Sequence, residues 1–389
     1  MCRLAYRDVL FGPLVSAFLL DGLDEATMQA LPSALEQVVR HRRAARRSWP
    51  RARLGARRAP RHRISSLGAA SVHRAPDHCG DADLIGIAHG HGFAGLPVAL
   101  TLAGHRCVVL TAHAVYDGTG SLELIHDLLD AAAGRPLPPE PPAARLPVLQ
   151  ALRRVRPKDA RAFVDARLHR PVGVELVRAA AGREARSAPA PGSSAFALDR
   201  ADLAAVRRYR EPDRVGRPTL HSRLASLIVA ALQEVATDHR DVPIWMTTDL
   251  RHLVDGRVDG NFIGREQIGT LHGDQWAPGA LAVRLVRLKG PGQALSLVWS
   301  TTGWLLRSAL GRRPVAGEEV VLTLATTRRA LGAPVSAVTA TSIGGSPTFG
   351  FVWQSRDAVH VSVYGSSDRF DLARFEDAFR RIVRLRADG

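Results

Sequence analysis

Apolar residues recur at helical spacing in two segments of the first half of the chain. The first segment, 23–39, is predicted to be a helix whose apolar face carries Met28, Leu31, Leu35, Val38 and Val39. Pro32 lies inside this segment, so it must either kink the helix or mark its true start. A second helix is predicted after Gly120, and its apolar face carries Leu122, Ile125, Leu128 and Leu129.

Between these helices, two short apolar runs rich in β-branched residues cover 96–102 and 106–111. The tripeptide "AGH" separates them, and this arrangement is typical of a hairpin. The second run leads directly into His113, and the helical pattern resumes a few residues later. The sequence therefore predicts that "TAHAVYDGTG", residues 111–120, is a turn between a strand and a helix.

The second half of the chain also mixes helices and strands. Asp199 is predicted to cap a short helix, Thr219 to begin a long helix and Asp371 to open a C-terminal one. Strands are predicted at 244–247, 320–324, 337–341, 348–353 and 359–364. Because strands and helices do not alternate strictly, the predicted fold class is α/β of the α+β type, with two sandwich lobes rather than one doubly wound sheet.

Two stretches rich in proline, glycine and serine interrupt these patterns, at 134–147 and at 182–194. Well-patterned elements resume immediately after the second stretch, which makes it the better boundary. We therefore predict an N-terminal lobe of residues 1–186 and a C-terminal lobe of residues 187–389. A chain of 389 residues is long enough to build both.

The chain is strongly basic, with a formal net charge of +16 and an isoelectric point near 11.2. Much of the excess lies between Glu36 and Asp77, where arginines are frequent and acidic residues are absent. This run is either a solvated loop that follows a helix, or a docking patch for an acidic partner or a phosphate-bearing cofactor. No helix-turn-helix or zinc-finger pattern, and no interleaving with aromatic residues, accompanies it, so we predict no nucleic-acid partner.

The apolar stretch 9–20 is too short to span a bilayer and contains Gly12 and Pro13. No secretory leader pattern accompanies it, so we expect a cytoplasmic protein. The three cysteines are widely spaced and predict neither a disulfide framework nor a zinc ribbon, with Cys107 as a small core residue. His78, His89 and His91 lack a carboxylate at ligand spacing, so we predict no metal site.

Gly90, Gly92 and Gly95 spell the G-x-G-x-x-G pattern of dinucleotide-binding loops. That mechanism requires a helix to begin at the glycines, so that its N–H groups meet a pyrophosphate. Here Pro97 and a β-rich run follow instead. We therefore predict that this segment does not bind a dinucleotide.

His113 is the sharpest candidate for chemistry. A neutral imidazole can take a proton from an attacking hydroxyl or amine, provided that its second ring nitrogen is held in place. Asp117, four residues on, could hold the imidazole directly, or could stabilise the loop through a salt bridge while a backbone carbonyl holds the ring. Gly118 would allow a tight turn and a close backbone approach.

The segment 111–129, "TAHAVYDGTGSLELIHDLL", resembles the active-site segment of the chloramphenicol acetyltransferase-like superfamily, whose signature is H-H-x-x-x-D-G or H-x-x-x-D-G. This superfamily includes nonribosomal peptide condensation domains, polyketide-associated acyltransferases, wax ester synthases and the plant BAHD acyltransferases. Four other stretches are similar to family segments and follow in the family's order, namely 19–46, 219–232, 247–264 ("TTDLRHLVDGRVDGNFIG") and 338–345 ("VTATSIGG").

The resemblance implies two similar lobes arranged in a V around a central tunnel. An acyl thioester, on coenzyme A or on the phosphopantetheine arm of an acyl or peptidyl carrier protein, would enter from one face and a hydroxyl or amine acceptor from the other. His113 would be the general base, and Asp117, Gly118 and Arg251 would support its loop, with Arg251 as the ion partner of Asp117. Gly260, Asn261 and Ser342 would contact the substrate, and no cofactor would be bound permanently.

Several positions depart from the family patterns. Ala112 precedes His113, so the doubled histidine of peptide condensation domains is absent, and this favours acyl transfer. The D-F-G-W-G segment of BAHD enzymes is missing, and Ile343 replaces the asparagine of the S-N-x-G segment. We hypothesise an acyltransferase or condensation enzyme of bacterial specialised metabolism, forming an ester or an amide. The alternative is a catalytically silent, condensation-like module that docks a carrier protein or another enzyme.

Overall fold

The computed structural model of the chain describes a defined set of residues. These are 15–42, 68–113, 115–168, 191–209, 218–258, 262–273, 276–298, 319–327, 329, 338–342, 348–356 and 358–388. They build two mixed sheets with helices packed against them, which confirms the predicted fold class. The predicted division at residue 186 falls outside these ranges and stays a prediction.

The first sheet contains five strands in the order β2-β3-β4-β1-β9. The strands are β1 (Val15–Leu20), β2 (Val72–Arg74), β3 (Val98–Ala103), β4 (Arg106–Ala112) and β9 (Val338–Ser342). Strands β3 and β4 form the predicted antiparallel hairpin, in which Ala103 pairs with Arg106. Gly104 occupies the turn with a φ of 53°, a conformation that favours glycine.

Both faces of this sheet are covered by helices. Helices α1 (Glu25–His41) and α3 (Gly118–Ala132) pack on the face that carries Phe18, Leu100 and Val109. Helix α2 (Asp81–His91) covers the opposite face, which carries Leu19, Ala99 and Leu110. The alternation of side chains along each strand explains why almost every strand position is buried.

Helix α1 confirms the predicted apolar face, since Leu31, Leu35 and Val38 are buried. The helix begins at Glu25, where Asp24 caps it by accepting a hydrogen bond from the Thr27 N–H at 2.7 Å. Pro32 therefore lies inside the helix, and the alternative that it marks the helix start is wrong. Of the arginines in the basic run between Glu36 and Asp77, the described residues include Arg40, Arg42 and Arg74.

The second sheet contains six strands in the order β5-β11-β10-β8-β6-β7. They are β5 (Pro191–Leu198), β6 (Pro243–Asp249), β7 (Ile263–Thr270), β8 (Val320–Thr326), β10 (Thr348–Gln354) and β11 (Val359–Ser366). Strand β8 pairs in parallel with both β6 and β10, while the other pairings are antiparallel. Strand β5 starts inside the stretch 182–194 that was predicted to separate the lobes.

One face of the second sheet packs against its own helices. These helices are α6 (Arg200–Arg208), α7 (Leu220–Val235), α8 (Pro278–Leu288) and α9 (Phe375–Asp388). Asp199 caps α6 and Thr219 stands at the start of α7, as predicted, and the structure adds that both form reciprocal capping boxes. The other face carries Phe351 and Trp353, which join the core under α1 and α3, and the ring of Phe351 meets that of Phe18 edge-on at 6.0 Å.

Two connections link the sheets more closely than the sequence pattern suggested. Strand β9 comes from the second half of the chain but pairs with β1, so it extends the first sheet. Helices α4 (Pro147–Arg153) and α5 (Pro157–Leu168) follow the first sheet, and residues around α4 pack on Leu253, Val258 and Phe262 of the second half. Across the described part of the chain, every helix is too short or too polar to cross a membrane.

Candidate active site

His113 lies where the sequence predicted it, between a strand and a helix. Strand β4 ends at Ala112, and helix α3 begins at Gly118, slightly earlier than predicted. The Ala112 carbonyl accepts hydrogen bonds from the N–H groups of Val115 at 2.8 Å and Tyr116 at 3.0 Å, and these bonds wind the loop tightly. A rigid sheet edge and a capped helix therefore hold both ends of the His113 loop.

His113 is half-buried at this sheet edge. Its Nδ1 atom is shielded from solvent. One ring nitrogen is thus enclosed by the protein, while the residue as a whole is not fully buried. General acid–base catalysis requires an arrangement of this kind.

Asp117 is the N-cap of α3 and its side chain is fully buried. Its Oδ1 accepts a hydrogen bond from the Gly120 N–H at 2.9 Å, and its Oδ2 accepts one from the Phe262 N–H at 3.3 Å. Arg251 Nη1 donates to the same Oδ2 at 2.8 Å. The carboxylate of Asp117 is thus bonded to Gly120, Phe262 and Arg251. Of the two roles that the sequence left open, the geometry corresponds to support of the loop through a salt bridge.

Arg251 follows β6 and reaches back to α3, so the predicted ion pair with Asp117 is present. Its Nη1 also lies 3.2 Å from Asp249 Oδ1, and its Nε donates to the Val258 carbonyl at 3.2 Å. The planar guanidinium can satisfy several acceptors at once because its donors are fixed in a fork. Asp249 in turn accepts a hydrogen bond from the backbone N–H of Arg251 at 2.9 Å.

The charges of this pair are stabilised by each other. Burial alone would raise the pKa of the Asp117 carboxyl, but Arg251 and the N–H groups of Gly120 and Phe262 outweigh burial and lower this pKa below its ordinary value. Burial also opposes the charge of Arg251, yet Asp117 and Asp249 raise the pKa of the guanidinium above its ordinary value. Both groups are therefore ionised at neutral pH.

Gly118 brings α3 close to the second sheet. A Cβ atom at this position would lie 3.4 Å from Thr323 Cγ2 and 3.8 Å from Phe351 Cε2. Gly118 does not have a positive φ and is the first residue of the helix, so the predicted tight turn is not what this position requires. The predicted close approach is present, because there is little room for a larger side chain between α3, β8 and β10.

Ser342 lies at the same end of the first sheet as His113. Its backbone pairs with Ser16, and the neighbouring Val15 pairs with Ala112, the residue before His113. Two strand spacings separate these positions, which corresponds to about 10 Å. Gly260 and Asn261 lie outside the described residues, so their predicted roles stay predictions.

Sequence reasoning missed Asp249, the Phe262 N–H and the Val258 carbonyl as parts of this site. Asp249 could have been noticed because it stands two residues before Arg251, where an acidic residue can bond the following turn. The two backbone groups carry no sequence signal, since any residue supplies them. Within the described ranges, no group of three or more His, Cys, Asp or Glu side chains is close enough together to hold a metal ion.

The glycines of the G-x-G-x-x-G pattern lie at the end of a helix rather than at its beginning. Gly90 belongs to the last turn of α2, and Gly92 is its C-cap with a φ of 62°. The N–H groups that would bind a pyrophosphate therefore do not point out of this loop. The helix start that this mechanism requires is therefore not formed at these glycines, and the exclusion of a dinucleotide stays a prediction.

Comparison with known proteins supports the fold through structure and not through sequence. No protein-family model matches the chain, and no curated protein shows significant sequence similarity to it. Solved structures match over nearly its whole length. A trichothecene 15-O-acetyltransferase from Fusarium sporotrichioides is 13% identical with a TM-score of 0.57, and the match covers 99% of this chain and 94% of that one.

Two domains of peptide synthetases match to a similar extent. The first condensation domain of the calcium-dependent antibiotic synthetase is 15% identical with a TM-score of 0.53, covering 100% of this chain and 97% of that one. The epimerization domain from the third module of tyrocidine synthetase B is 14% identical with a TM-score of 0.52, covering 96% and 91%. The chain therefore shares its fold with these solved acetyltransferase and peptide-synthetase structures.

Proposed function

We propose that the chain is an acyltransferase or condensation enzyme that joins an acyl thioester to a hydroxyl or amine acceptor, with His113 as general base. The observation that carries this proposal is the placement of a half-buried histidine in a loop held by the ion pair between Asp117, which is fully buried, and Arg251. The fold shared with an acetyltransferase and with condensation domains supports the same class of reaction.

The reaction would proceed through one addition and one elimination. The imidazole of His113 takes the proton of the acceptor O–H or N–H while the acceptor atom attacks the thioester carbonyl carbon. A new C–O or C–N bond forms, and the C–S bond then breaks as the carbonyl is restored. The imidazolium returns its proton to the departing thiolate, so the base is regenerated and the products are an ester or amide and a thiol.

Asp117 and Arg251 would act by position and not by proton transfer. Their charges are satisfied by each other and by backbone groups, so neither is available to exchange a proton near neutral pH. They hold the first turn of α3 against the segment that follows β6, and this fixes the end of the His113 loop. Gly260, Asn261 and Ser342 remain the proposed substrate contacts.

The donor is proposed to be a thioester of coenzyme A or of the phosphopantetheine arm of an acyl or peptidyl carrier protein. Purified protein would be mixed with acyl-coenzyme A, with acylated carrier proteins and with a panel of alcohols and amines, and products detected by mass spectrometry. Product formation with a hydroxyl but not an amine panel, or the reverse, would decide between ester and amide synthesis. If product forms from acyl-coenzyme A and not from acylated carrier proteins, the reaction does not need a carrier protein.

His113→Ala should reduce turnover by about 10² to 10⁴-fold, the usual contribution of a positioned acid–base group. His239→Ala is the matched control, because this exposed histidine lies between α7 and β6, away from the His113 loop. Equal turnover in the two folded variants would reject His113 as the base. If the wild-type chain binds an acidic carrier protein in a salt-dependent manner but forms no product, the silent docking module is the correct interpretation.

A further inference from the structure

Two carboxylates in the C-terminal half of α3 bind arginines from three other parts of the chain. Asp127 is only 4% exposed, and its two oxygens bind different guanidinium groups. Arg42 Nε donates to its Oδ2 at 2.5 Å, and Arg329 Nη1 donates to its Oδ1 at 2.7 Å. A single buried carboxylate therefore joins two segments that are distant in sequence.

Arg329 binds both carboxylates at once. It follows β8 of the second sheet, and its Nη2 bonds Asp130 while its Nη1 bonds Asp127. Its backbone is also fixed, because its N–H donates to Thr327 Oγ1 at 3.2 Å. The side chain thus extends from a fixed backbone position to Asp127 and Asp130, which lie about one turn apart on the same face of α3.

The other two arginines connect this cluster to two further segments of the first half of the chain. Arg42 is the C-cap of α1, and its Nη1 donates to the Pro138 carbonyl at 2.9 Å. Arg135 lies just beyond α3 and binds Asp130 at 2.6 Å. Helix α1, the segment after α3 and the end of β8 therefore meet at the same two carboxylates.

This cluster gives α3 a second attachment to the second sheet. The first attachment is at its N-terminus, where Asp117 binds Arg251 and Gly118 lies against Thr323. Asp117 and Asp127 are separated by ten residues of helix, a distance of about 15 Å. A rigid rod held at two such points can neither tilt nor slide, so the spacing between the His113 loop and the second sheet depends on both attachments.

We propose that Arg329 is a positioning residue, which fixes the C-terminal half of α3 and through it the position of His113 relative to the second sheet. The structural part of this inference concerns the chain alone. Its catalytic consequence rests on the proposed function.

The test measures amide hydrogen exchange in peptides from α3, without any substrate. Arg329→Gln keeps hydrogen-bonding capacity but cannot neutralise either carboxylate, so exchange within 118–132 should become at least about tenfold faster. Arg240→Gln is the matched control, since Arg240 forms an exposed pair with Asp238 at 2.5 Å, remote from α3. Equal exchange of α3 in the two variants would overturn the proposal.

A second variant separates charge from geometry and covers the case in which Arg329→Gln does not fold. Arg329→Lys keeps the positive charge but offers a single ammonium in place of the fork that spans Asp127 and Asp130. We expect the rate of amide hydrogen exchange in α3 of this variant to lie between the rates of the wild type and of Arg329→Gln. Wild-type exchange in Arg329→Lys would show that charge alone suffices, and would overturn the positioning role assigned to the two-carboxylate geometry.

Turnover then tests the consequence for His113. If the wild type transfers acyl groups, Arg329→Lys should lower kcat about tenfold while KM stays within about twofold, because the base is displaced and substrate binding is retained. Faster α3 exchange with unchanged kcat would refute the link to His113. Faster exchange in a chain that has no transferase activity would refute the proposed function and leave the structural inference intact.

Discussion

Arg251 Nη1 lies 2.8 Å from Asp117 Oδ2, across 134 residues of sequence. This contact joins the segment after β6 in the second sheet to the helix that follows the His113 loop. Because Asp117 is fully buried and the Arg251 side chain is only 20% exposed, solvent and salt screen this pair much less than a surface pair. The stability of the chain and the shape of its candidate active site therefore depend on the same two charges.

Asp117→Asn should lower the free energy of unfolding at pH 7 by about 3 kcal/mol or more, since it leaves the Arg251 charge without its main partner. The folded-state pKa of Asp117 is lowered, so its contribution is complete above the ordinary value of 3.8 and is lost as the pH falls below that value. The difference in the free energy of unfolding between wild type and variant should thus become smaller at acidic pH. Urea unfolding at several pH values measures it.

Asp255→Asn is the control for this experiment. Asp255 pairs with Arg154 at 3.2 Å, but the carboxylate side chain is 91% exposed. Surface pairs of this kind contribute little, so the variant should remain within about 0.5 kcal/mol of wild type. If Asp117→Asn is equally mild, the buried pair is not the stabilising element described here.

Gly118 tests the close approach of α3 to the second sheet. Gly118→Ala places a methyl group 3.4 Å from Thr323 Cγ2, an ordinary van der Waals contact that should change stability by less than about 1 kcal/mol. Gly118→Val adds atoms that must push α3 away, and should cost about 1–3 kcal/mol together with most of the transferase activity. Thermal unfolding and product formation would be measured on both variants. Equal behaviour of the two would argue against a tight junction.

Gly256 tests the segment that supports Arg251. Its φ is 95°, and a Cβ atom there would lie 2.8 Å from the Pro142 carbonyl oxygen, so Gly256→Ala should destabilise the fold by about 1–3 kcal/mol. We expect the opposite effect on stability from Gly86→Ala, because this glycine lies inside α2 with open space around it. Alanine lowers the backbone entropy of the unfolded chain, so this substitution should stabilise the fold by about 0.5–1 kcal/mol. Melting temperatures that shift in the same direction would contradict this reading.

His89 should make the stability of the fold depend on pH over a range that is higher than the pH range in which Asp117 acts. Burial lowers the pKa of its imidazole from 6.5 to about 4, and within the described residues neither ring nitrogen has a hydrogen-bond partner. The unfolded chain therefore binds a proton more readily, so stability is complete above pH 6.5 and falls as the pH drops towards 4. His89→Gln should lose less stability across this interval than wild type, as followed by urea unfolding. Parallel pH profiles would refute the assignment.

The elements that the sequence predicted well are those governed by neighbours a few residues apart. Asp199 and Thr219 cap their helices, and the hairpin turns at Gly104, because capping and turn formation are local. Helix α2 was not predicted, since its glycines and histidines obscure a short apolar set of Leu84, Ile85 and Ala88. Cys107 was correctly placed in the core, where burial raises the pKa of its thiol to about 12.

By itself, then, the sequence determined the strand-to-helix setting of His113 and the resemblance that suggested Arg251 as the partner of Asp117. Only the tertiary structure decided that β9 joins the first sheet and that Arg329 binds Asp127, 202 residues away. Spacing along a chain specifies which side chains share a face of one element. Contacts between elements depend on how separate faces pack to bury apolar surface and pair buried charges, and no local pattern encodes that choice.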